Sequence, residues 1–236
     1  MIESGILKNK EIYNALFKDN RKEDLVYEPV VGLIIDIIKK NGYNRILDYG
    51  CGNGRFGFYF KEQLKEKRLF GADISEEALK ICSDLYDEVY LTDGLNLPDK
   101  KFDFIVMNSV LEHVPLDRWD SLLGEVAKKL EDSGSIFVII PNKNSPMRRF
   151  TKRWDNEDER LGHISLVDLR FLKNKLRQFG FINLKLSFMF MAKRLPDYLR
   201  CPDAVKKLII LPYSLLNIFP FYYLRDSFWI LGKRGL

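Results

Sequence analysis

The stretch that decides the fold is Arg45-Ile46-Leu47-Asp48-Tyr49-Gly50-Cys51-Gly52-Asn53-Gly54-Arg55-Phe56-Gly57. Its apolar start is typical of the end of a buried strand. Its alternating glycines then allow a tight turn, because glycine adopts backbone angles that other residues avoid. A helix that starts near Gly54 would direct its free N–H groups at a ligand lying against this loop. The stretch therefore predicts a strand, a ligand-binding loop and a helix.

A carboxylate, Asp48, stands two residues before the first glycine of this loop. Residues 52–57 also satisfy the dinucleotide pattern G-x-G-x-x-G, but a fixed negative charge here would repel a pyrophosphate. The charge suits a ligand with a cationic amino group, and S-adenosylmethionine (SAM) carries a methionyl ammonium and no phosphate. SAM is therefore the predicted ligand. A nicotinamide dinucleotide of an oxidoreductase and a glycine turn without a ligand are the alternatives.

The run from Leu47 to Gly54 resembles the first motif of the class I SAM-dependent methyltransferases. Later segments are similar to the small-molecule enzymes of that family, a subgroup that includes the ubiquinone-biosynthesis methyltransferases. The resemblance covers about residues 25–190. It implies a three-layer α/β fold with a Rossmann-like sheet of seven strands, order 3-2-1-4-5-7-6, strand 7 antiparallel and helices on both faces.

We expect one methyltransferase domain over residues 1–236. To this domain the sequence adds three segments: a helical extension at 1–24, a lid loop at 143–164 and an apolar insertion at 192–226.

Hydrophobic periodicity and turn signals predict the elements of this fold. A short helix is expected within residues 4–18. Pro29 suits the first turn of a helix that ends at Gly42, and Ser75 is a good N-cap for another helix. The predicted strands are 44–48, 69–73, 89–91, 102–107, 135–140, 181–190 and 228–231.

Two further helices are predicted in the second half of the chain. One begins near Trp119, and Leu130 falls on its buried stripe. The other follows Ser165 and Asp168, which resemble a capping box, and ends at Gly180.

Acidic and polar residues follow the strands that flank the glycine loop. Asp73 ends the second strand, where a carboxylate accepts hydrogen bonds from both ribose hydroxyls; the alternative is that Asp73 merely precedes the helix cap at Ser75. The resemblance implies that Asp93 accepts from the adenine amino group, with an ordinary Asp-Gly turn as the alternative, and that the backbone near Asn108 passes the sulfonium. The predicted cofactor-binding residues are Asp48, Gly50, Cys51, Gly52, Asp73, Ile74, Asp93, Gly94, Leu95 and Asn108.

Methyl transfer to a hydroxyl benefits from a base, and the chain has two histidines. His113 lies just after the fourth strand, and His163 lies at the far side of the lid loop. Both are predicted catalytic residues; for each, the alternative is a hydrogen-bonded histidine that holds a loop. The lid supplies three candidate substrate-binding cations: Arg148, Arg149 and Arg153. A solvated charged loop is the alternative for the lid.

The apolar insertion contains a run without charge, residues 208–224, with two prolines and basic flanks. The run is at the bottom of the range that spans a bilayer, and prolines argue further against a transmembrane helix. Two interpretations of residues 205–224 stay open. They cap an apolar substrate pocket or a homodimer interface, or they contact a membrane surface peripherally.

Composition limits the remaining options. A chain of 236 residues with 46% hydrophobic residues buries one substantial core, and its net charge of +5 is compatible with an acidic substrate, RNA or an anionic membrane. The three cysteines, Cys51, Cys82 and Cys201, are too few and scattered for a disulfide framework or a zinc site. We therefore expect no metal ligands and a cytoplasmic location, consistent with an N-terminus that lacks a signal-peptide core.

Taken together, these features predict a SAM-dependent methyltransferase with a small-molecule or lipid-like acceptor, methylated at oxygen. We do not expect a nucleic-acid acceptor, because Asn108-Ser109-Val110-Leu111 stands where amino-methylating nucleic-acid enzymes have an Asn/Asp-Pro-Pro-Tyr motif. An RNA or protein methyltransferase and a non-catalytic SAM-binding scaffold are the alternatives.

Overall fold

The computed structural model describes residues 9–15, 29–144, 162–189 and 227–235. Residues 9–15 are helical. The further α-helices are α1 (Pro29–Asn41), α2 (Arg55–Gln63), α3 (Glu76–Cys82), α4 (Trp119–Lys129) and α5 (Leu169–Gln178). The strands are β1 (Arg45–Tyr49), β2 (Arg68–Asp73), β3 (Glu88–Leu91), β4 (Phe102–Asn108), β5 (Leu130–Pro141), β6 (Phe181–Met189) and β7 (Ser227–Arg234).

The described strands form one seven-stranded sheet in the order β3-β2-β1-β4-β5-β7-β6. β1 pairs in parallel with both β2 and β4, and β7 runs antiparallel between β5 and β6. This confirms the predicted strand order and the reversed last strand. The order changes direction between β1 and β4, and open α/β sheets bind their ligands beyond the strand ends at such a point.

Side chains along the central strands alternate between the two faces of the sheet. On β1, Leu47 and Tyr49 belong to one buried cluster, and Ile46 belongs to the other. Helices α4 and α5 contribute to the first cluster, and α1, α2 and α3 to the second. Because helices cover both faces, the parallel strands are nearly continuous apolar runs. The predicted three-layer architecture is confirmed.

Helix α1 ends and helix α3 begins at the residues that the sequence predicts. Gly42 adopts φ +68° directly after α1, and its N–H donates to the carbonyl of Lys39. The Ser75 hydroxyl accepts from the Ala78 N–H at 3.1 Å and caps α3. Both positions use residues whose chemistry suits that end of a helix.

Two predicted helix boundaries are wrong. Leu130 is the first residue of β5 rather than the last turn of a helix, because it pairs with Phe102 of β4 and is fully buried there. Asp168, and not Ser165, caps α5, since its carboxylate accepts from the Phe171 N–H at 2.8 Å. Ser165 precedes the helix, where its N–H donates to the carbonyl of Glu112.

Several predictions fall outside the described residues. They concern most of the lid loop with Arg148, Arg149 and Arg153, and the apolar insertion at 192–226 with its segment 205–224. Of the extension at 1–24, only residues 9–15 are described. No helix within the described ranges is both long and apolar enough to cross a membrane.

Candidate functional site

The glycine loop turns sharply at the carboxyl end of β1. Gly50, Gly52 and Gly54 all have positive φ, at +80°, +52° and +84°, which confirms the predicted backbone angles. Gly54 is the N-cap residue of α2, so the helix starts where the sequence predicts. The N–H groups of Gly50 and Cys51 donate to the carbonyl of Ala72 at 2.7 and 3.1 Å. These hydrogen bonds fix the loop to β2. Because the glycines carry no side chains, a ligand beside the loop would mainly contact its main chain.

The side chain of Cys51 points away from that surface. It is buried, and its Sγ lies 3.9 Å from the Sγ of Cys82 on α3. A ligand beside the loop would therefore meet the main chain of Cys51 rather than its side chain, and the predicted cofactor contact of Cys51 stays a prediction.

Space beside the loop is restricted at Gly50. A Cβ atom there would lie 2.4 Å from Cγ2 of Val110, which follows β4. We expect Gly50→Ala to lower the free energy of unfolding by about 2–4 kcal/mol, because steric overlap adds to the cost of a positive φ. Urea denaturation measures this difference.

Gly42→Ala is the matched control for that substitution. Its φ is also positive, but no atom lies within 4 Å of the added Cβ. It should therefore cost only the backbone part, about 1–2 kcal/mol. Equal losses for the two variants would show that the contact with Val110 is irrelevant.

Asp73 joins the glycine loop to the start of α3. Its Oδ2 accepts from the Gly52 N–H at 2.8 Å and its Oδ1 from the Ser75 N–H at 2.9 Å. The side chain is buried, and burial raises the pKa of Asp73 although hydrogen bonds from Ser75, Gly52 and Ile74 oppose this. A carboxylate has about four acceptor positions. The N–H groups of Gly52, Ile74 and Ser75 occupy three of these, so Asp73 keeps about one acceptor position for a predicted ribose hydroxyl while it holds the loop.

Asp48 lies beneath the loop. It is 3% exposed, and its Oδ2 accepts from the hydroxyl of Tyr86 at 2.7 Å. Burial raises the pKa of Asp48 to about 7, the Tyr86 hydrogen bond lowers it, and the nearby charge of Asp73 raises it further. The carboxylate is in place beside the glycine loop, and its contact with a ligand ammonium stays a prediction.

Asp48 should make stability depend on pH. Its folded pKa of about 7 exceeds its ordinary value of 3.8, so between these values the folded chain holds a proton that the unfolded chain has released. Its contribution is complete below the lower value and disappears as the pH rises through the upper one.

We expect the cofactor-free wild type to lose stability relative to Asp48→Asn between about pH 5 and pH 8, since the amide does not titrate. Urea unfolding of both proteins across this range measures the difference. A difference that does not change with pH would contradict the assignment.

Asp93 closes a turn after β3. Its carboxylate accepts from the N–H groups of Leu95 and Asn96, both at 2.9 Å, and from the Asn96 side chain. Burial would raise the pKa of Asp93, but these hydrogen bonds lower it below its usual value. Gly94 has φ +85° in this turn. The geometry matches the turn alternative, and an adenine contact from Asp93, Gly94 or Leu95 stays a prediction.

Asn108 is the last residue of β4. Its Oδ1 is buried and has no hydrogen-bond partner among the residues that the structure describes. The next residue, Ser109, has φ +54°, and its N–H donates to the carbonyl of Ile139 on β5. A buried acceptor at this strand exit is a natural contact for a ligand donor.

Helical residues 9–15 contact the segments that follow β2 and β4. Asn9 Nδ2 donates to the carbonyl of His113 at 2.8 Å, and Asn14 Oδ1 accepts from the Ser75 hydroxyl at 2.6 Å. Tyr13 lies between them, and its hydroxyl is 2.7 Å from Nε2 of His113. The sequence analysis missed these three side chains, because nothing local marks a contact this distant in the chain.

The structure brings the two histidines together beyond β4. The ring centroids of His113 and His163 are 4.8 Å apart. Nδ1 of His113 is 3.1 Å from the carbonyl of Gly162, and the carbonyl of Glu112 accepts from the N–H groups of Ile164 and Ser165 at 2.8 and 3.0 Å. Residues 162–165 are thus attached to residues 112–113. His113 therefore holds this loop through Nδ1, as its alternative interpretation states. Its other ring nitrogen, Nε2, faces the Tyr13 hydroxyl.

Glu112 is a site residue that the sequence analysis missed. Its side chain is fully buried, which is rare for a carboxylate outside a functional or ion-paired site. Its position beside His113, a few residues after the predicted strand 102–107, was the local signal, but the sequence does not show that this carboxylate is buried.

A pocket of about 740 Å³ lies between the residues that follow β5 and helix α5. Three basic residues contribute to its lining, together with asparagines and one carboxylate. The lining residues are Asn142, Asn144, Asp168, Leu169, Arg170, Lys173, Asn174 and Arg177.

Comparisons with known proteins agree with this geometry. A family model described as a methyltransferase domain matches residues 8–186. An uncharacterized protein of Methanocaldococcus jannaschii is 26% identical over 180 residues, which cover 75% of this chain and 81% of that protein. A SAM-dependent methyltransferase structure from Archaeoglobus fulgidus has a TM-score of 0.60 at 25% identity, covering 86% of this chain and 94% of that one.

A second kind of relative is an RNA-modifying enzyme. The tRNA (carboxymethyluridine(34)-5-O)-methyltransferase of Arabidopsis thaliana is 32% identical over 99 residues. The match covers 40% of this chain and only 23% of the plant enzyme, so most of that enzyme has no counterpart here.

Proposed function

This chain belongs to the class I SAM-dependent methyltransferases, and we propose that it transfers the methyl group to an oxygen of a small-molecule or lipid-like acceptor. SAM dependence follows from the family. The nature of the acceptor, the methylated atom and the similarity to ubiquinone-biosynthesis enzymes belong to the proposal.

The residues around the glycine loop fit SAM. The loop leaves no room for a side chain at Gly50, and the Asp73 carboxylate keeps about one acceptor position for a ribose hydroxyl. The buried Oδ1 of Asn108 has no hydrogen-bond partner among the described residues. Asp48 lies beside the loop where the methionyl ammonium is expected, and a bound ammonium would favour the ionised form of this carboxyl group. When bound, SAM supplies a methyl group that is already activated, so the protein mainly contributes position and field.

The observation that supports an oxygen acceptor is the hydroxyl beside His113. The Oη of Tyr13 lies 2.7 Å from Nε2, which shows that this imidazole accommodates a phenolic hydroxyl at hydrogen-bonding distance. Nδ1 donating to the Gly162 carbonyl would fix the tautomer and leave Nε2 as an acceptor. In the proposal, an acceptor hydroxyl takes the position of the Tyr13 hydroxyl, and His113, with His163 beside it, assists loss of the proton.

Turnover with isotopically labelled SAM tests the proposed acceptor class. The full chain is incubated with phenols, catechols, lipid extracts, transfer RNA and ribosomal RNA, and mass spectrometry locates the methyl group. We expect labelled oxygen on a small or lipid-like molecule. Label found only in RNA would overturn this proposal, and SAM binding without any turnover would favour a scaffold.

RNA is the second candidate acceptor. The pocket beside α5 carries Arg170, Lys173 and Arg177, which suit a phosphate-bearing substrate, and the plant relative is a tRNA methyltransferase. RNA binding that weakens steeply with salt would support this candidate.

Other contacts are also proposals. Arg148, Arg149 and Arg153 are proposed to bind an anionic group of the acceptor. Residues 205–224 are proposed to cap an apolar substrate pocket or a homodimer interface, or else to contact an anionic membrane surface. Sedimentation of the full chain with anionic liposomes, and its mass in solution, separate these roles.

A further inference from the structure

Three potential metal ligands converge beyond the end of β4. Glu112 offers a carboxylate oxygen and His113 and His163 each offer a ring nitrogen, and these three atoms all lie within 4.8 Å of one another. Glu112 is buried and the two imidazoles are half-buried. The group is built without cysteine, so the cysteine count could not predict it.

We propose that Glu112, His113 and His163 bind a divalent first-row transition cation, such as Zn²⁺ or Mn²⁺, next to the SAM site. The part of this cation in catalysis rests on the proposed transfer to oxygen. The histidines then act on the acceptor proton through the cation rather than as free bases.

The backbone holds the ligands in place before any cation binds. Ile164 and Ser165, which directly follow His163, donate their N–H groups to the carbonyl of Glu112. The side chain of Asn9 donates to the carbonyl of His113 at 2.8 Å. The two segments that carry the ligands are therefore fixed to each other, which lowers the entropy lost when the ligands close on a cation.

One hydrogen bond has the form that metal-binding histidines commonly show. Nδ1 of His113 lies 3.1 Å from the carbonyl of Gly162. Metal-bound histidines usually donate their other N–H to such an oxygen, which fixes the tautomer and strengthens the ligand. Nε2 of His113 is then the ligating atom, and the Tyr13 hydroxyl is its current neighbour at 2.7 Å.

The ligand set suits a transition metal. Two imidazoles and one carboxylate bind Zn²⁺ in catalytic sites that keep a further position open for water or substrate, and imidazole also suits other first-row metals. Ligand atoms at about 2.1 Å from such a cation are about 3.4 Å apart, so the widest separation must shrink by about 1.4 Å. Rotation of the imidazole rings and the carboxylate supplies movements of this size.

A cation here would lower the pKa of an acceptor hydroxyl that occupies the open position. The acceptor O–H bond breaks and the proton passes to solvent water. The oxygen lone pair forms the bond to the methyl carbon while the carbon–sulfur bond breaks, and the sulfur keeps that electron pair as a neutral thioether.

Titration of the chelator-treated full chain with Co²⁺ tests the site directly. We expect one Co²⁺ per chain with visible absorption from nitrogen and oxygen ligands, and Zn²⁺ should displace it. Glu112→Gln and His163→Gln should weaken binding at least about 100-fold, since removing a ligand should exceed the loss seen for outer-shell changes. Tyr13→Phe should bind Co²⁺ at least as tightly as wild type, because its hydroxyl competes for Nε2.

Glu62→Gln, an exposed carboxylate on α2, is the control that should bind like wild type. Affinity for S-adenosylhomocysteine reports whether each variant is folded. If Glu112→Gln does not fold, the result for His163→Gln decides whether the site binds the cation. No saturable Co²⁺ binding, or equal binding by the ligand variants, would overturn the site.

Turnover separates the two proposals. Activity lost on chelation and restored by Zn²⁺ or Mn²⁺ supports the catalytic role, whereas equal activity of the stripped chain refutes it. Cation binding that depends on Glu112 and His163, without turnover of any hydroxyl, would contradict the proposed acceptor and leave the cation site in place.

Discussion

Replacement of His113 by alanine should lower the turnover number by about 10²–10⁴-fold, the range in which assisted proton transfer contributes. Affinity for S-adenosylhomocysteine should change little, because His113 contacts Tyr13, His163 and Gly162 rather than the glycine loop. Steady-state kinetics with an identified acceptor and calorimetry with the cofactor product measure the two effects separately.

His113→Asn is the control for a structural role. An asparagine amide can still donate to the Gly162 carbonyl, but it neither accepts a proton at neutral pH nor replaces imidazole as a strong metal ligand. We therefore expect His113→Asn to be as slow as His113→Ala. Turnover restored by asparagine would show that His113 acts only by holding residues 162–165.

Replacement of Asp73 by alanine should weaken SAM binding by roughly 1.5–3 kcal/mol, about 10–150-fold. The substitution removes the proposed ribose acceptor and also the bonds that fix the N–H groups of Gly52 and Ser75. Stability should therefore fall as well, and unfolding in urea measures that part independently of the cofactor.

A ligand variant isolates the ribose contact. An S-adenosylhomocysteine analogue without the two ribose hydroxyls should bind wild type more weakly than the natural compound, while Asp73→Ala should scarcely distinguish them. Comparing the two ligands in both proteins cancels the effect of Asp73 on the loop, because that effect changes the affinity for both ligands equally. Equal discrimination by both proteins would exclude the ribose role.

Features encoded by neighbouring residues were predictable from the sequence. The glycine loop and the helix cap at Ser75 depend on contacts within a few residues, and the strands were visible as short apolar runs between turn signals. The structure confirms all three. Leu130 was misassigned for a long-range reason: its apolar spacing fits a helix, but pairing with Phe102 draws it into β5.

The candidate site was predictable only in part. Asp48 and Asp73 stand at the carboxyl ends of β1 and β2, so their places beside the loop could be inferred. The contact between His113 and His163 and the approach of Tyr13 depend on loops and on a helix whose positions only the folded chain determines. Glu112 was overlooked because a buried carboxylate looks in sequence like any surface acid.

The central claim is that the glycine loop, with Asp48 and Asp73, forms a SAM site. Titration of S-adenosylhomocysteine into the wild-type chain, with NADH as a competitor, tests it most directly. We predict saturable binding of one S-adenosylhomocysteine per chain that excess NADH does not displace. No binding at saturating concentration, or preferential binding of NADH, would contradict the claim.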